Sequence, residues 1–145
     1  MRVFIQRSLN ASVEVAGQTV GNINYGIVAL VGFTKGDTIE TIDYMVDKLI
    51  HLRIFDDENG VMNRSLIDTG GKVLSISQFT LYADTRKGRR PSYINALNGE
   101  EAVKLYDLWN QKLKEKKIEV ATGQFGADMT VSLINDGPVS ILLEK

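Results

Sequence analysis

The chain has 145 residues, 43% of them hydrophobic, which is enough for one domain over residues 1–145 that buries roughly 68–70% of its unfolded surface. Its formal net charge of −1 excludes a globally basic nucleic-acid binder, so any RNA contact must come from a local patch. It has no cysteine, which excludes disulfides, thiol nucleophiles and cysteine-ligated metals and fits the cytoplasm.

The N-terminal segment predicts β-structure. Val3 and Ile5, and later Val13 and Val15, alternate with polar residues, as in a β-meander. Residues 26–32 form a continuous apolar run, which indicates a strand covered on both faces. The chain has neither a signal-peptide pattern nor an apolar run approaching about 18 residues, so we expect a cytoplasmic protein without membrane contact.

Two segments have apolar residues at helical spacing. The first predicted helix begins at Asp37, which has Glu40 three residues later as in a capping box, and ends near Arg53. The second spans about residues 99–117. Its apolar stripe indicates core packing rather than a platform for stacked bases. That stripe comprises Ala102, Leu105, Tyr106, Trp109 and Leu113.

The remaining elements are turns and strands. Asn59-Gly60 predicts a hairpin turn, and the acidic cluster 56–58 beside it is interpreted as a solvated turn rather than a metal loop. A strand leads into Ser77. Alternation at 129–133 and again at 139–143 predicts two terminal strands. The fold class is therefore α+β, a curved, largely antiparallel sheet or barrel with two main helices.

The Gly137-Pro138 step lies between those terminal strands, where proline cannot donate to a β ladder. X-Pro bonds are also the only peptide bonds for which the cis form costs little, about 0.5–1 kcal/mol. Some function is therefore expected at this step.

The Gly137-Pro138 step is interpreted together with a second motif, the Ser-Gln box Ser77-Gln78-Phe79-Thr80, in which a Ser-Gln pair precedes Phe and Thr. With Gly137-Pro138-Val139, this box resembles the D-aminoacyl-tRNA deacylases, which hydrolyse the ester between tRNA and a wrongly attached D-amino acid. The likeness covers essentially the whole chain. Ser140 departs from it, because Thr is usual there, but a hydroxyl is retained.

The resemblance implies a homodimer in which each subunit inserts a cis Gly137-Pro138 into its partner's active site and so excludes L-aminoacyl-tRNA. Mischarged glycyl-tRNA is then an expected second substrate. Arg7 corresponds to a residue that helps to fix the inserted dipeptide. Ala102, Phe125 and Met129 match positions that line the pocket for the terminal adenosine and neighbouring groups; each could instead belong to the core.

The chemistry available to such an esterase is restricted. The single histidine, His51, lies on a predicted helix, and no Glu-x-x-His or His-x-x-x-His spacing exists, which argues against a zinc hydrolase. Gly-x-Ser-x-Gly is also absent, which disfavours a Ser-His-Asp triad. We therefore expect no metal and no cofactor. Backbone N–H groups would then hold the ester carbonyl, and a group of the substrate itself would assist the reaction in place of a catalytic side chain.

The resemblance points to an RNA-assisted mechanism, in which the ribose hydroxyl next to the ester takes part. Main-chain N–H groups near Ser77, Gln78 and Phe79 are the expected electrophilic element. Thr80 is a candidate nucleophile, but a strand threonine commonly satisfies neighbouring backbone and no base is evident, so a structural role is favoured. Ser77 and Gln78 could likewise only satisfy the chain at a strand end.

A basic block follows the box, with four cations in five residues: Arg86, Lys87, Arg89 and Arg90. Such a run is usually a solvated loop, but its adjacency to the predicted site favours contact with tRNA phosphates. Two other functions stay open from the sequence, a noncatalytic RNA-binding module and an intersubunit scaffold.

Overall fold

The fold, described for residues 1–145 by a computed structural model, is built on one long strand. Strand β1 (Arg2–Val15) pairs along one edge with β3 (Gly26–Gly32) and with β2 (Gln18–Ile23), both antiparallel. Its other edge pairs antiparallel with β8 (Thr130–Glu144) over nearly the whole length. β1 runs unbroken from Arg2 to Val15, so the two alternating segments at residues 3–5 and 13–15 belong to one strand of the predicted meander.

Two further strands extend the sheet in parallel. β6 (Lys72–Ser77) pairs with β3, and β7 (Val120–Thr122) pairs with β6. β2 then approaches β7 so closely that a Cβ on Gly21 would lie 2.7 Å from the carbonyl oxygen of Thr122. The mixed sheet is thereby nearly closed into a barrel, which confirms the predicted curved, largely antiparallel architecture.

Two main helices cover the sheet, as predicted. They are α1 (Ile39–His51) and α3 (Gly99–Glu115), which also contact each other. Trp109 of α3 is fully buried in the core. The predicted stripe of α3 faces this core. A one-turn helix, α2 (Leu66–Thr69), was not predicted. No helix combines the length and the hydropathy needed to cross a membrane.

Helix α1 begins one residue later than the sequence predicted. Thr38, not Asp37, is the N-cap, and its side chain accepts a hydrogen bond from the backbone of Thr41. The Asp37 carboxylate instead accepts the N–H of Thr34 at 2.8 Å, within the preceding turn. The carboxylate that we assigned to the helix therefore stabilises the loop that leads into it.

The Asn59-Gly60 hairpin is confirmed by antiparallel pairing of β4 (Phe55–Asp56) with β5 (Met62–Arg64). Oδ1 of Asp57 accepts the N–H groups of the residues at 59 and 61, at 2.9 and 3.1 Å. These backbone hydrogen bonds lower the pKa of Asp57. The acidic cluster therefore contributes directly to the geometry of the turn.

The terminal segment forms one strand, β8, where the sequence predicted two. Gln6 pairs with Ser140 and Ser8 pairs with Asn135, so residues 136–139 all lie opposite Arg7 as a bulge. Pairing with β1 resumes on both sides of the bulge. The Gly-Pro step thus interrupts the register without ending the strand.

Candidate active site

A cavity of about 520 Å³ lies where β3 and β6 end. Most of its lining is hydrophobic, and six residues singled out from the sequence contribute to it. These are Ser77, Gln78, Phe79, Ala102, Phe125 and Met129. The end of β6, the first turn of α3 and the segment after β7 therefore form one site.

The backbone at the end of β6 presents free donors. The N–H of Gln78 donates to the carbonyl of Val31 at 2.7 Å and is already used. The next two N–H groups, of Phe79 and Thr80, begin a 3-10 helical turn (Phe79–Tyr82) and have no acceptor within the protein. Of the three residues expected from the sequence to supply main-chain donors, Phe79 therefore has a free N–H, whereas the N–H of Gln78 is occupied.

Thr80 has a structural partner. The side-chain amide of Gln78 donates to the Thr80 hydroxyl oxygen. Thr80 is half-buried and does not line the cavity, whereas Gln78 does. This geometry fits a threonine that orients the Gln78 side chain.

Strand β6 is fixed to α3 through Ser75, which is fully buried. The Tyr106 hydroxyl donates to the Ser75 carbonyl at 2.7 Å, and Nε1 of Trp109 donates to its hydroxyl at 3.2 Å. Burial raises the pKa of Tyr106, so the phenol stays protonated and donates. These hydrogen bonds position Ser77, two residues further along the same strand.

The Gly137-Pro138 bond is cis, and the dipeptide is exposed and does not line the cavity of its own chain. Arg7 lies beneath it and is 5% exposed. Its Nε lies 2.8 Å from Oδ2 of Asp136, an ion-pair contact whose angle does not make a hydrogen bond. Its Nη1 donates to the Ile54 carbonyl at 2.7 Å and to Asp56 at 3.1 Å. Arg7 therefore ties the bulge to the β4 region.

The hydroxyl of Ser140 closes the other side of the bulge. It accepts hydrogen bonds from Nδ2 of Asn135 at 2.9 Å and from Nε2 of Gln6 at 3.3 Å. Both bonds need only the hydroxyl oxygen. The substitution of Ser for the usual Thr therefore preserves these bonds.

The basic loop is the segment that carries the basic block, residues 86–90. It is closed at its base by paired backbone hydrogen bonds between Asp84 and Ser92. Asp84 also holds Arg86 through two side-chain contacts at 2.7 and 2.9 Å. Hydrogen bonds from Arg86 lower the pKa of Asp84 to about 2, so the carboxylate stays charged and compensates that arginine. The three other cations are exposed and have no ion-pair partner: Lys87, Arg89 and Arg90.

Comparison with known proteins agrees with this geometry. The family model described as D-Tyr-tRNA(Tyr) deacylase matches residues 4–144. The chain belongs to this deacylase family. Relatives named D-aminoacyl-tRNA deacylase are 54% identical in Brevibacillus brevis, over all of both chains, and 55% identical in Clostridium tetani, over all of this chain and 97% of the relative. As a member of the family, the chain is a hydrolase that acts on D-aminoacyl-tRNA.

Solved structures extend the comparison of the deacylase fold. A c-Myc DNA Unwinding Element Binding Protein is 36% identical and superimposes with a TM-score of 0.94, covering 100% of this chain and 99% of its own. A probable eukaryotic D-amino acid tRNA deacylase has a TM-score of 0.84 at 18% identity, covering 98% and 97%. The second likeness concerns the fold alone.

Sequence reasoning missed several residues around the deacylase cavity. Phe33 and Leu97 add apolar wall, and Asp128 is the only ionisable side chain in the lining. These residues lie in connecting segments, where no periodicity marks them. The histidine, His51, lies on the surface of α1 beside Asp47 and does not line the cavity.

Proposed function

We propose that the cavity at the ends of β3 and β6 holds the terminal adenosine and the aminoacyl ester of D-aminoacyl-tRNA. The observation that carries this proposal is the coincidence of two features in one place. An apolar cavity of about 520 Å³ adjoins two backbone N–H groups, of Phe79 and Thr80, that have no acceptor within the protein. A nucleobase packs well against apolar walls, and the carbonyl oxygen of a reacting ester needs hydrogen-bond donors.

Hydrolysis proceeds by attack of water on the ester carbonyl carbon. The carbonyl oxygen becomes negatively charged, and the N–H groups of Phe79 and Thr80 are placed to stabilise it. The carbon–oxygen bond to the ribose then breaks. The ribose oxygen leaves with a proton that the neighbouring ribose hydroxyl relays, which frees the tRNA and the amino acid. Ser77 and Gln78 position the ester at the cavity wall.

The adenosine occupies the apolar part of the cavity. Phe125 offers a ring for stacking, and Met129 and Ala102 complete the walls around it. Ala102 lies in the first turn of α3, where its small side chain leaves room. A bulky residue there would close the cavity.

Chirality is selected by Gly137-Pro138 of a second copy of the chain. Within one chain the dipeptide is exposed and does not line the cavity, so contact with a cavity needs a partner. Exposed apolar side chains flank it, since Leu9 is 48% and Ile134 is 57% exposed. Such side chains favour burial against another copy. The rigid carbonyls then hold the substrate amino group and leave no volume for an L side chain.

This arrangement rejects L substrates by exclusion. Glycine has no side chain to reject, so glycyl-tRNA is cleaved along with D-aminoacyl-tRNA. The three uncompensated cations of the basic loop, Lys87, Arg89 and Arg90, contact phosphates of the acceptor arm. Arg86 contributes less, because Asp84 already compensates its charge.

The test of this function is the loss of ester from D-Tyr-tRNA and from L-Tyr-tRNA, incubated separately with the purified protein. We expect rapid loss of the D ester and retention of the L ester. Equal loss of both would indicate a nonselective esterase. Loss of neither would instead favour the noncatalytic RNA-binding module.

A further inference from the structure

A second cavity, a polar groove of about 660 Å³, lies beside the first. One wall is a face of α3, including Asn110 and Lys114, and the other is the segment that follows β7. Phe125 lines both cavities, so the two are adjacent and share one aromatic wall.

The groove contains hydrogen-bonding groups that the fold does not use. Asn110 is 7% exposed, and its Oδ1 is buried without a partner. A buried acceptor left unpaired is costly, and most such groups in proteins are satisfied. Asp107, about one turn earlier on α3, also lines the groove, and its exposed carboxylate has no ion-pair partner. Glu115 differs, because it accepts a hydrogen bond from Gln111 at 2.8 Å.

We propose that this groove binds the nucleotide immediately before the terminal adenosine, which is a cytidine in the common CCA end of tRNA. The inference rests on the proposed placement of the adenosine in the first cavity. The cytosine stacks against Phe125, and its amino group donates to the Asp107 carboxylate and to Oδ1 of Asn110. The exposed Lys114 lies on the same helix face for the adjoining phosphate.

The chemistry of the groove favours cytosine over uracil. Uracil presents a carbonyl oxygen where cytosine presents an amino group, and a carboxylate can only accept. The carboxamide of Asn110 carries both a donor and an acceptor, whereas the carboxylate of Asp107 carries acceptors alone. Asp107 therefore supplies the discrimination, and Asn110 supplies a contact that the fold leaves unpaired.

A cycle of substrate and protein changes tests the inference. Full-length D-Tyr-tRNA is prepared with C or U before the terminal adenosine, and the enzyme concentration that gives the half-maximal single-turnover rate is measured for each. With wild type, the U substrate should need a roughly tenfold higher concentration, as expected for one lost base-edge contact. Asp107→Asn should reduce this ratio to about two, because an amide can also donate. Asp47→Asn, an exposed aspartate change on α1, is the matched control and should leave the ratio unchanged.

The minimal substrate D-Tyr-adenosine separates this inference from the proposed function. It lacks the preceding nucleotide, so wild type and Asp107→Asn should cleave it equally. An equal half-maximal concentration for C and U tRNA, with D-Tyr-adenosine still cleaved, would overturn the groove assignment alone. If wild type leaves D-Tyr-adenosine intact at saturating concentration and Ala102→Phe does not affect D-Tyr-tRNA, the placement of the adenosine itself fails, and the groove assignment fails with it.

Discussion

The Thr80 hydroxyl belongs to one of the two residues with free backbone donors, yet its oxygen accepts a hydrogen bond from the side-chain amide of Gln78. We therefore expect Thr80→Ala to keep most of the deacylation rate, because the N–H of residue 80 remains. Single-turnover rates on D-Tyr-tRNA measure this, with Thr80→Val as the control for side-chain volume. A drop of roughly 10³-fold in the chemical step of a folded variant would make the hydroxyl catalytic.

The same mechanism predicts that the substrate hydroxyl matters more than the protein hydroxyl. D-Tyr-tRNA whose terminal ribose lacks the 2′-hydroxyl should be cleaved far more slowly by wild type than the normal substrate is by Thr80→Ala. Rates on matched 3′-esters give this comparison directly. Equal rates on the two ribose forms would contradict RNA-assisted chemistry.

Gly137 has a φ of +118°, and a Cβ there would lie 2.7 Å from Cγ2 and 2.8 Å from the N of Val139. We therefore expect Gly137→Ala to displace the bulge and to lower the ratio of D to L cleavage by roughly tenfold or more. Gly60→Ala is the matched control, because Gly60 also has positive φ but has no atom within 4 Å of the added Cβ. Both variants lose stability; a D-to-L ratio lowered equally in both would remove the special role of the bulge.

Among secondary-structure elements and loops, the basic loop contains arginines of two kinds: Arg86 is paired with Asp84, whereas Arg89 and Arg90 have no ion-pair partner. Neutralising Lys87, Arg89 or Arg90 should each flatten the dependence of log K on log salt by roughly 0.7–0.9. Arg86→Ala should flatten it less, because Asp84 already pairs with Arg86. Binding of uncharged tRNA at several salt concentrations measures the slopes. An unchanged slope in all four variants would indicate an ordinary solvated loop.

Elements with strong local periodicity could be predicted from the sequence. The helices α1 and α3 and the buried strand β3 each carry an apolar pattern that packing then uses directly. The continuity of β8 could not be predicted, since it depends on distant pairing with β1 on both sides of the bulge. Short-range signals cannot supply such a partner.

The candidate site, too, could be predicted from the sequence only in part. Ser77, Gln78 and Phe79 were marked by motif, and the fold places them at one cavity with Ala102 and Phe125. The identity of the free N–H groups could not be read from sequence. It depends on the Val31 carbonyl, a neighbour in space that occupies the N–H of Gln78.

At the scale of the whole molecule, the proposal requires two copies to complete one site. Ala102→Phe fills the cavity but leaves the bulge intact, whereas Gly137→Ala does the reverse. Mixed dimers of these two variants, purified through different tags, contain one complete site. If the bulge acts in the partner's site, the purified mixed dimers should regain about half of wild-type D-selective activity, because one of their two sites is complete. A mixture no more active than the separate variants would place both features in one chain.

We propose that the deacylase rejects L substrates by exclusion rather than by recognising a D side chain. The most direct measurement is the single-turnover cleavage rate of D-Tyr-, L-Tyr- and Gly-tRNA by the wild-type protein under one set of conditions. We expect the D and glycyl esters to be cleaved and the L ester to survive. Glycyl-tRNA as inert as L-Tyr-tRNA would contradict it, because a substrate without a side chain offers nothing to exclude.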